Sequence, residues 1–432
     1  MFVLNCAAEG IAADAVLLHS STGKEPISTP IEKEPDTKVQ FYQAGSPHNS
    51  AVGPLMSLYT SFLHQAGTQF KGEWSSFRRG KPLLALDPTS FFPSDIDSDT
   101  EKAVLKLLLE TVFTFADDFG IDIALCVPET RVFITTTDMR AEHCPFEGGP
   151  FWMLSESQKS NAMSLAKSAK AGRLAVFVGA GISIPSGAPS WGGLLEALAV
   201  EANMNAEDMK SLKDLDYLDQ PTILAEEMGE ESFKKAIAKV INQSSRYTPA
   251  HALLKSLESP AVTTNYDDLF EKAAESGSDD YAVPTLPWDS RQMLINRHTI
   301  KNSLLKLHGC VNHPESIILS RCDYMRYPDT AQALRGRLHG MFLTNEILFV
   351  GFSMTDDNVH KVIDDVRKVT YVDGNPPESK FGTILTMTEN KMFNRLWDQD
   401  FDVHSFGKSW GDNPSWYHDC FLDFMVTSSL DE

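Results

Sequence analysis

The chain has 432 residues, of which 42% are hydrophobic, so it is long enough for about two or three domains with ordinary buried cores. Lysine and arginine number 38 and aspartate and glutamate number 59, which gives a formal net charge of −21. Because this charge repels nucleic acid and anionic membrane surfaces, we expect neither as a partner. An anionic ligand would need local positive potential, such as the backbone amides at the start of a helix.

The six cysteines are scattered along the chain, and no two have the C-x-x-C spacing of a zinc clip. We therefore expect free thiols in a reducing compartment and no bound metal. The first residues lack the basic and apolar regions of a signal peptide, and no apolar run approaches the roughly 18 residues that a membrane span needs. The sequence thus predicts a cytoplasmic protein.

Residues 1–150 are predicted to form a smaller N-terminal α/β domain of unknown role. The predicted elements are strands at 2–5, 15–18, 83–86, 121–127 and 131–137 and helices at 54–64 and 99–119. Ser98 and Glu101 have the spacing of a capping box at the start of the second helix. Residues 20–38 are rich in proline and poor in apolar side chains, which predicts a flexible loop. We find no catalytic constellation in this half of the chain.

Residues 151–172 are predicted to be a linker helix, after which short buried strands alternate with helices over 173–432. This order indicates an α/β fold with a Rossmann-like doubly wound parallel sheet. The predicted strands are 174–179, 261–264, 304–307, 316–319 and 347–351, and the predicted helices are 155–171, 191–203, 221–229, 231–243, 267–275 and 331–343. Because such sheets bind ligands at the carboxyl ends of their strands, the residues after each strand are the candidate site.

A glycine loop follows the first of these strands and contains Gly179, Ala180, Gly181 and Ser183. Glycines let backbone amides approach a phosphate closely. The dinucleotide fingerprint G-x-G-x-x-G is broken at Ile184, and no acid ends the next strand, so an ordinary dehydrogenase is disfavoured. For this loop alone, a tight turn without a ligand is the alternative.

Polar or small residues follow three further strands. They are Thr264, Asn265 and Asp267 after the second strand, His308 and Gly309 after the third, and Gly351, Ser353 and Asp356 after the fourth. Taken singly, Asn265 or Asp267 can cap the helix that follows, and a lone histidine is more often structural. The coincidence of such residues at four strand ends favours a single ligand site.

The motifs GAGIS, TTNYD, KLHG and GFSxxD, in this order, resemble the Sir2 (sirtuin) superfamily, and specifically the SIR2-like NAD hydrolases of innate and antiphage immunity. The resemblance covers about residues 165–425. It implies a Rossmann-like domain with a helical insertion over about 195–250, with NAD⁺ bound between them as the substrate. It further implies a regulated defence effector, active as a homo-oligomer such as a tetramer or filament, with an activating partner or signal that is unknown.

The implied reaction is cleavage of NAD⁺ to nicotinamide and ADP-ribose or cyclic ADP-ribose. By resemblance, Asn265 would lie near the nicotinamide ribose and the attacking water, Asp267 would contact the carboxamide, and His308 would be the base. The residues implied to bind NAD⁺ are Gly179, Ala180, Gly181, Ser183, Thr264, Gly309, Gly351, Ser353 and Asp356. Among these, the glycine loop would hold the pyrophosphate, and Asp356 would close the far side of the site.

The sequence departs from the sirtuin deacylases at two places. Deacylases carry an arginine shortly after the GAGIS loop and a four-cysteine zinc module after the histidine. Here residues 189–191 are Pro-Ser-Trp, and only Cys310 and Cys322 stand at the second place. The alternative of an NAD-dependent protein deacylase or ADP-ribosyltransferase is therefore weakened. A non-catalytic NAD- or ADP-ribose-binding assembly protein, which would need the glycine loop but not His308, is the other alternative.

Overall fold

The described residues form two β-sheets, one from each half of the chain, with helices packed around both. The structure is a computed structural model and describes residues 1–20, 29–31, 39–47, 51–77, 79–277, 285–286, 303–330, 332–387, 389–406 and 414–430. Most of the flexible loop predicted over 20–38 lies outside these residues, although Thr29–Ile31 forms a short strand within it.

The N-terminal half of the chain has an α/β fold, as predicted, built on one six-stranded sheet. Its strands are β1 (Phe2–Leu4), β2 (Ala15–His19), β3 (Thr29–Ile31), β4 (Gln40–Ala44), β5 (Leu83–Leu86) and β6 (Asp122–Cys126). They lie in the spatial order β1-β6-β5-β2-β4-β3, and all neighbours are parallel except β3 and β4. Helices α1 (Val52–Phe70) and α2 (Ser98–Phe119) bury their apolar faces against one side of this sheet.

The strand predicted at 131–137 is wrong, because this segment lies in helix α3 (Thr130–Glu142). Three consecutive threonines favour a strand, but the buried side chains of the segment recur at helical spacing. They are Val132, Phe133, Thr136, Thr137 and Arg140. The start of α2 also differs from the prediction, since the side chain of Asp97, rather than a capping box at Ser98, accepts from the first-turn amides.

The C-terminal sheet has the Rossmann-like, doubly wound arrangement that the sequence predicted. Its strands are β7 (Leu174–Val178), β8 (Ala261–Thr263), β9 (Thr285–Leu286), β10 (Leu304–Lys306), β11 (Glu346–Val350), β12 (Gly382–Thr386) and β13 (Phe401–Ser405). They lie in the order β13-β12-β11-β7-β8-β10-β9, and every pair is parallel. The order reverses at β7, which is where such a sheet opens a crevice for a ligand.

Helices cover both faces of this sheet. They are α4 (Glu156–Lys170), α5 (Trp191–Glu201), α6 (Ala206–Lys213), α7 (Asp219–Met228), α8 (Glu230–Ile241), α9 (Pro249–Ser256), α10 (Leu269–Glu275), α11 (Arg321–Thr330), α12 (Gln332–Thr344), α13 (Asp357–Thr370), α14 (Lys391–Trp397) and α15 (Pro414–Leu430). Helices α5 to α8 pack together around a buried cluster of their own. No helix in the described ranges is long and apolar enough to cross a membrane.

The strand predicted at 316–319 is wrong as well. A 3-10 helix covers Pro314–Ser316, and the side chains of Ile317 and Leu319 pack into the cluster of α5 and α8 instead of joining the sheet. Strands β12 and β13 are absent from the prediction. The residues of β13, Phe401–Ser405, are mostly polar, and only its first side chain is fully buried, so its apolar signal is weak.

The two sheets share one hydrophobic core, in which β1 packs against α9 and α15. Helix α15 lies between the halves, and α4 packs along it. Two buried ion pairs cross the contact from the N-terminal half to α15, Arg79 with Asp419 and Arg140 with Asp423. Because a buried charge without its partner is strongly destabilising, each pair ties the two halves together.

Candidate active site

A cavity of about 870 Å³ lies at the carboxyl ends of the central strands of the C-terminal sheet. Its walls come from the segments after β7, β8, β10, β11 and β12 and from helices α5 and α15. The predicted site residues that line it are Ala180, Gly181, Ser183, Thr264, Asn265, Asp267, His308, Gly351, Ser353 and Asp356. The structure therefore brings residues from four separate strand ends into one cavity.

The loops after β7 and β11 touch through their backbones. The amides of Gly179 and Gly181 donate hydrogen bonds to the carbonyls of Val350 and Gly351, at 2.9 and 2.8 Å. A Cβ at Gly181 would lie 2.7 Å from the Gly351 oxygen, and a Cβ at Gly351 would lie 2.7 Å from the Ile182 nitrogen. Gly351 also has a left-handed φ of +63°. Since both amides are already bonded, these glycines provide the close approach of the two loops.

A buried histidine, His251, lies behind the glycine loop. Its Nδ1 accepts a hydrogen bond from the backbone N–H of Thr248 at 3.1 Å. Because a backbone amide can only donate, Nδ1 is the unprotonated nitrogen and Nε2 carries the ring hydrogen. Burial lowers the pKa of His251 to about 4, so the ring is neutral at neutral pH. Nε2 therefore donates to Ser183 Oγ, at 3.3 Å.

This chain of hydrogen bonds orients Asn265. Its Nδ2 donates to Ser183 Oγ at 3.4 Å, and its backbone amide donates to Thr263 Oγ1 at 2.9 Å. Two donors thus occupy the acceptor positions of the Ser183 oxygen, which leaves the Ser183 hydroxyl hydrogen to donate to a group in the cavity. With its nitrogen turned toward Ser183, Asn265 presents its Oδ1 acceptor to the cavity.

His308 lies at the end of β10 between two polar groups. Its Nδ1 is 3.4 Å from the hydroxyl of Tyr324, and its Nε2 is 3.4 Å from Asp356 Oδ2. The Tyr324 hydroxyl also donates to Asp356 Oδ2, at 3.2 Å. Burial lowers the pKa of His308 and the Asp356 carboxylate partly opposes this, so the imidazole is neutral at neutral pH. Asp356 was expected on the far side of the site, but the structure places it beside His308.

Asp267 lies at the same end of the cavity, and its Oδ1 accepts from the backbone amide of Leu269 at 3.2 Å. Lys306 of β10, fully buried, donates to the Asp267 carbonyl and pairs with Glu271 at 2.9 Å. Burial alone would lower the pKa of Lys306, but Glu271, Cys310 and Asp267 together outweigh it and the pKa is raised. The charged pair therefore holds the loop that carries Asn265 and Asp267 against β10.

Two predicted site residues, Gly179 and Gly309, are absent from the cavity lining, and a Cβ at Gly309 would collide with the backbone of Ser316. Conversely, His251 and Tyr324 belong to the site although the sequence analysis did not single them out. His251 had a local signal, because it stands three residues after Thr248 at the start of α9, which is capping-box spacing. Tyr324 had none, since only the fold brings α11 to the end of β10.

Among the described residues, no three His, Cys, Asp or Glu side chains converge as a metal site. Cys310 is buried and Cys322 is exposed.

Comparison with known proteins identifies residues 260–400 as a SIR2-like domain. The chain is 29% identical over 202 residues to the NAD(+) hydrolase ThsA of Enterococcus faecium, covering 46% of this chain and 41% of that protein. It is 30% identical over 194 residues to the NAD(+) hydrolase ThsA of Bacillus cereus, covering 45% of this chain and 40% of that protein.

A third relative is the Defense-associated sirtuin 2 of Bacillus subtilis, 26% identical over 224 residues, which are 51% of this chain and 22% of that protein. The chain thus spans less than half the length of each of these relatives. The predicted resemblance to SIR2-like NAD hydrolases is confirmed, since residues 260–400 match a SIR2-like domain and the chain is similar to proteins named NAD(+) hydrolase ThsA.

Proposed function

We propose, on the premise that the chain carries a SIR2-like domain, that it is an NAD⁺ glycohydrolase, which cleaves NAD⁺ to nicotinamide and ADP-ribose. The observation that carries the proposal is the convergence of Asn265, Asp267 and His308 with the glycine loop in one cavity. The relatives named NAD(+) hydrolase support the choice of substrate.

The reaction breaks the bond between the nicotinamide nitrogen and C1′ of the ribose. The bonding electrons go to nicotinamide, which leaves as a neutral molecule, so the step needs no general acid. An oxocarbenium-like centre remains at C1′, and a water molecule attacks it and loses a proton. Catalysis therefore depends on positioning, on electron-rich groups near the cation, and on a base that accepts the proton.

The side chains in the cavity match these needs. Asn265 presents its Oδ1 acceptor, fixed through Ser183, which suits a water molecule or a ribose hydroxyl. Asp267 has its carboxylate at the same end, where it can accept from the nicotinamide carboxamide. His308 is neutral and can accept a proton, and the adjacent Asp356 stabilises the imidazolium that forms.

The proposal extends to the role of the protein. The relative named as defense-associated supports a regulated defence effector, because unregulated loss of NAD⁺ harms the cell that makes the enzyme. We propose a cytoplasmic homo-oligomer that responds to an activating partner or signal. We also propose that its N-terminal domain, linker helix and catalytic domain are residues 1–150, 151–172 and 173–432. Light scattering with and without NAD⁺ tests the oligomer, and limited proteolysis tests the boundaries.

Chromatography of NAD⁺ incubated with the full chain tests the activity. We expect nicotinamide release by the wild type and a loss of roughly 10²–10⁴-fold in His308→Ala, the usual contribution of a general base. Asn265→Ala should be similarly impaired. His404→Ala and Asn161→Ala are matched controls, because this histidine and amide contact each other at 3.1 Å away from the cavity lining.

The second product peak distinguishes ADP-ribose from cyclic ADP-ribose. Release of nicotinamide that persists in both Asn265→Ala and His308→Ala would contradict the proposed site. Release only in the presence of an acyl-lysine peptide would instead show a deacylase. If the wild type binds NAD⁺ or ADP-ribose and releases nothing under any condition, the protein is a binding module and the proposal fails.

A further inference from the structure

The cavity has a second end, away from Asn265 and His308. Arg79, His418 and Asp419 line it, together with residues at the end of β12. Arg79 comes from the N-terminal half of the chain, and the other two come from α15. All three lie outside residues 260–400, which match the SIR2-like domain.

Arg79 is held firmly in place. The loop that carries it is anchored at both ends by the buried carboxylate of Asp14, which accepts from Ser75 Oγ at 2.8 Å and from the Leu83 amide at 2.9 Å. Arg79 Nη1 then donates to Asp419 Oδ2 at 2.7 Å. The guanidinium is therefore positioned before any ligand enters the cavity.

Among the described residues, Arg79 makes fewer hydrogen bonds than the arginine of a second pair one helical turn along α15, although Nε of both arginines is buried without a partner. There, Arg140 holds both oxygens of Asp423, at 2.6 and 3.0 Å. Arg79 makes one hydrogen bond to Asp419, and its Nη2 is 3.8 Å from Asp122. Within the described part of the chain, Arg79 Nε and His418 Nε2 are buried and have no hydrogen-bond partner. Such buried polar atoms call for a ligand or water.

The strand order gives the distance between the two ends. Asn265 follows β8 and His308 follows β10, whereas the second end lies at β12, four strands from β10 in the sheet. At about 4.8 Å per strand this separation is about 19 Å, which is the scale of an extended dinucleotide. The strand ends that border the cavity are therefore far enough apart for the two nucleosides of one dinucleotide.

We propose that Arg79, His418 and Asp419 bind the ribose of the adenosine half of NAD⁺, so that the N-terminal half of the chain completes the substrate site. This inference rests on the proposed function. The two hydroxyls of a ribose offer donors to the Asp419 carboxylate and acceptors to the Arg79 guanidinium. Arg79, from the N-terminal half of the chain, thus helps to recognise the adenosine end.

The charges at this end predict a preference between dinucleotides. The Asp419 carboxylate lines this end of the cavity, and its pKa is lowered by Arg79 although burial opposes this. A 2′-phosphate on the ribose would bring negative charge against this buried carboxylate, where little solvent screens the repulsion. The site therefore favours NAD⁺ over NADP⁺.

The test measures kcat and KM for nicotinamide release from NAD⁺, NADP⁺ and nicotinamide mononucleotide, with the full chain carrying Asp419→Asn. We expect KM for NAD⁺ to rise roughly tenfold or more, because a hydrogen bond to a charged group is lost. The kcat should change little, and the preference for NAD⁺ over NADP⁺ should narrow. Nicotinamide mononucleotide, which has no adenosine, should show the same kcat/KM as with the wild type.

Asp423→Asn is the matched control, since it weakens the equivalent buried pair away from the cavity lining. A change in the NAD⁺ KM that Asp423→Asn reproduces, or an equal loss with nicotinamide mononucleotide, would overturn the inference in favour of a structural role. An unchanged KM in Asp419→Asn would overturn it while leaving the proposed function intact. If the wild type releases no nicotinamide, calorimetry with ADP-ribose decides, and equal affinity of wild type and Asp419→Asn overturns the inference.

Discussion

Changing Asp356 to asparagine should shift the pH dependence of catalysis with little effect on the fold. Asp356 Oδ1 caps α13 by accepting from the amides of Asn358 and Val359, at 2.9 and 3.0 Å. Asparagine caps helices as well as aspartate does, so Asp356→Asn should keep these bonds. What the substitution removes is the negative charge beside His308.

The size of the effect follows from the distance between the two groups. His308 Nε2 and Asp356 Oδ2 are 3.4 Å apart. Coulomb's law then gives about 1.2 kcal/mol at an effective dielectric constant of about 80 and about 4.9 kcal/mol at about 20. These energies correspond to about 1 to 3.6 pKa units. Because the carboxylate stabilises the protonated ring, its removal lowers the pKa of His308 further.

The assay is kcat/KM for nicotinamide release between about pH 4 and 9. Neutral His308 is the active form, so the acid limb of the profile should move to lower pH by at least about one unit in Asp356→Asn. Asp97→Asn is the control, because Asp97 caps α2 through two amides in the same way but does not line the cavity. An acid limb that stays in place or moves to higher pH would refute the role given to His308.

His251→Ala should lower kcat more than it raises KM, because Ser183 and Asn265 lose their orientation. Ser183→Ala added to it should cost little more, whereas additive effects would show independent roles. In the wild type, the free energy of unfolding should fall by about 2 kcal/mol as the pH is lowered from about 7 to 5. The pKa of His251 is about 4 in the folded protein against about 6.5 for an unperturbed histidine, so the unfolded chain binds more protons over this range. Urea unfolding that gives equal stability at both pH values would contradict a buried neutral histidine. Gly351→Ala should abolish NAD⁺ binding, since its Cβ would lie 2.7 Å from a backbone nitrogen, whereas Gly336→Ala, with open space around its Cβ, should not.

The strand-end residues could be predicted from the sequence because they follow from one rule. A parallel sheet gathers the residues after its central strands at one edge, so Asn265 and His308 could be expected near the glycine loop before any contact was known. The same rule does not say which side chain faces which. Asp356 lies beside His308 because the segment after β11 places it there. The spacing of the motif does not predict this contact.

Contacts between distant segments were beyond prediction for a different reason. Arg79 has no motif around it, and its partner Asp419 lies 340 residues later in the chain. The burial of β1 against α9 and α15 decides that these two meet. The wrong strand at 131–137 has a local cause, since β-branched threonines carry a strand preference that packing in α3 overrides.

The two ion pairs to α15 also bear on how this protein can change during evolution. Arg79 and Arg140 each meet a carboxylate, Asp419 or Asp423, on consecutive turns of one helix. Replacing any one of these four residues would leave the charge of its partner buried and unpaired. Positions 79 and 419 should therefore co-vary among homologues, as should positions 140 and 423. A chimera that joins the N-terminal half of one homologue to the C-terminal half of another should be most stable when both pairs match.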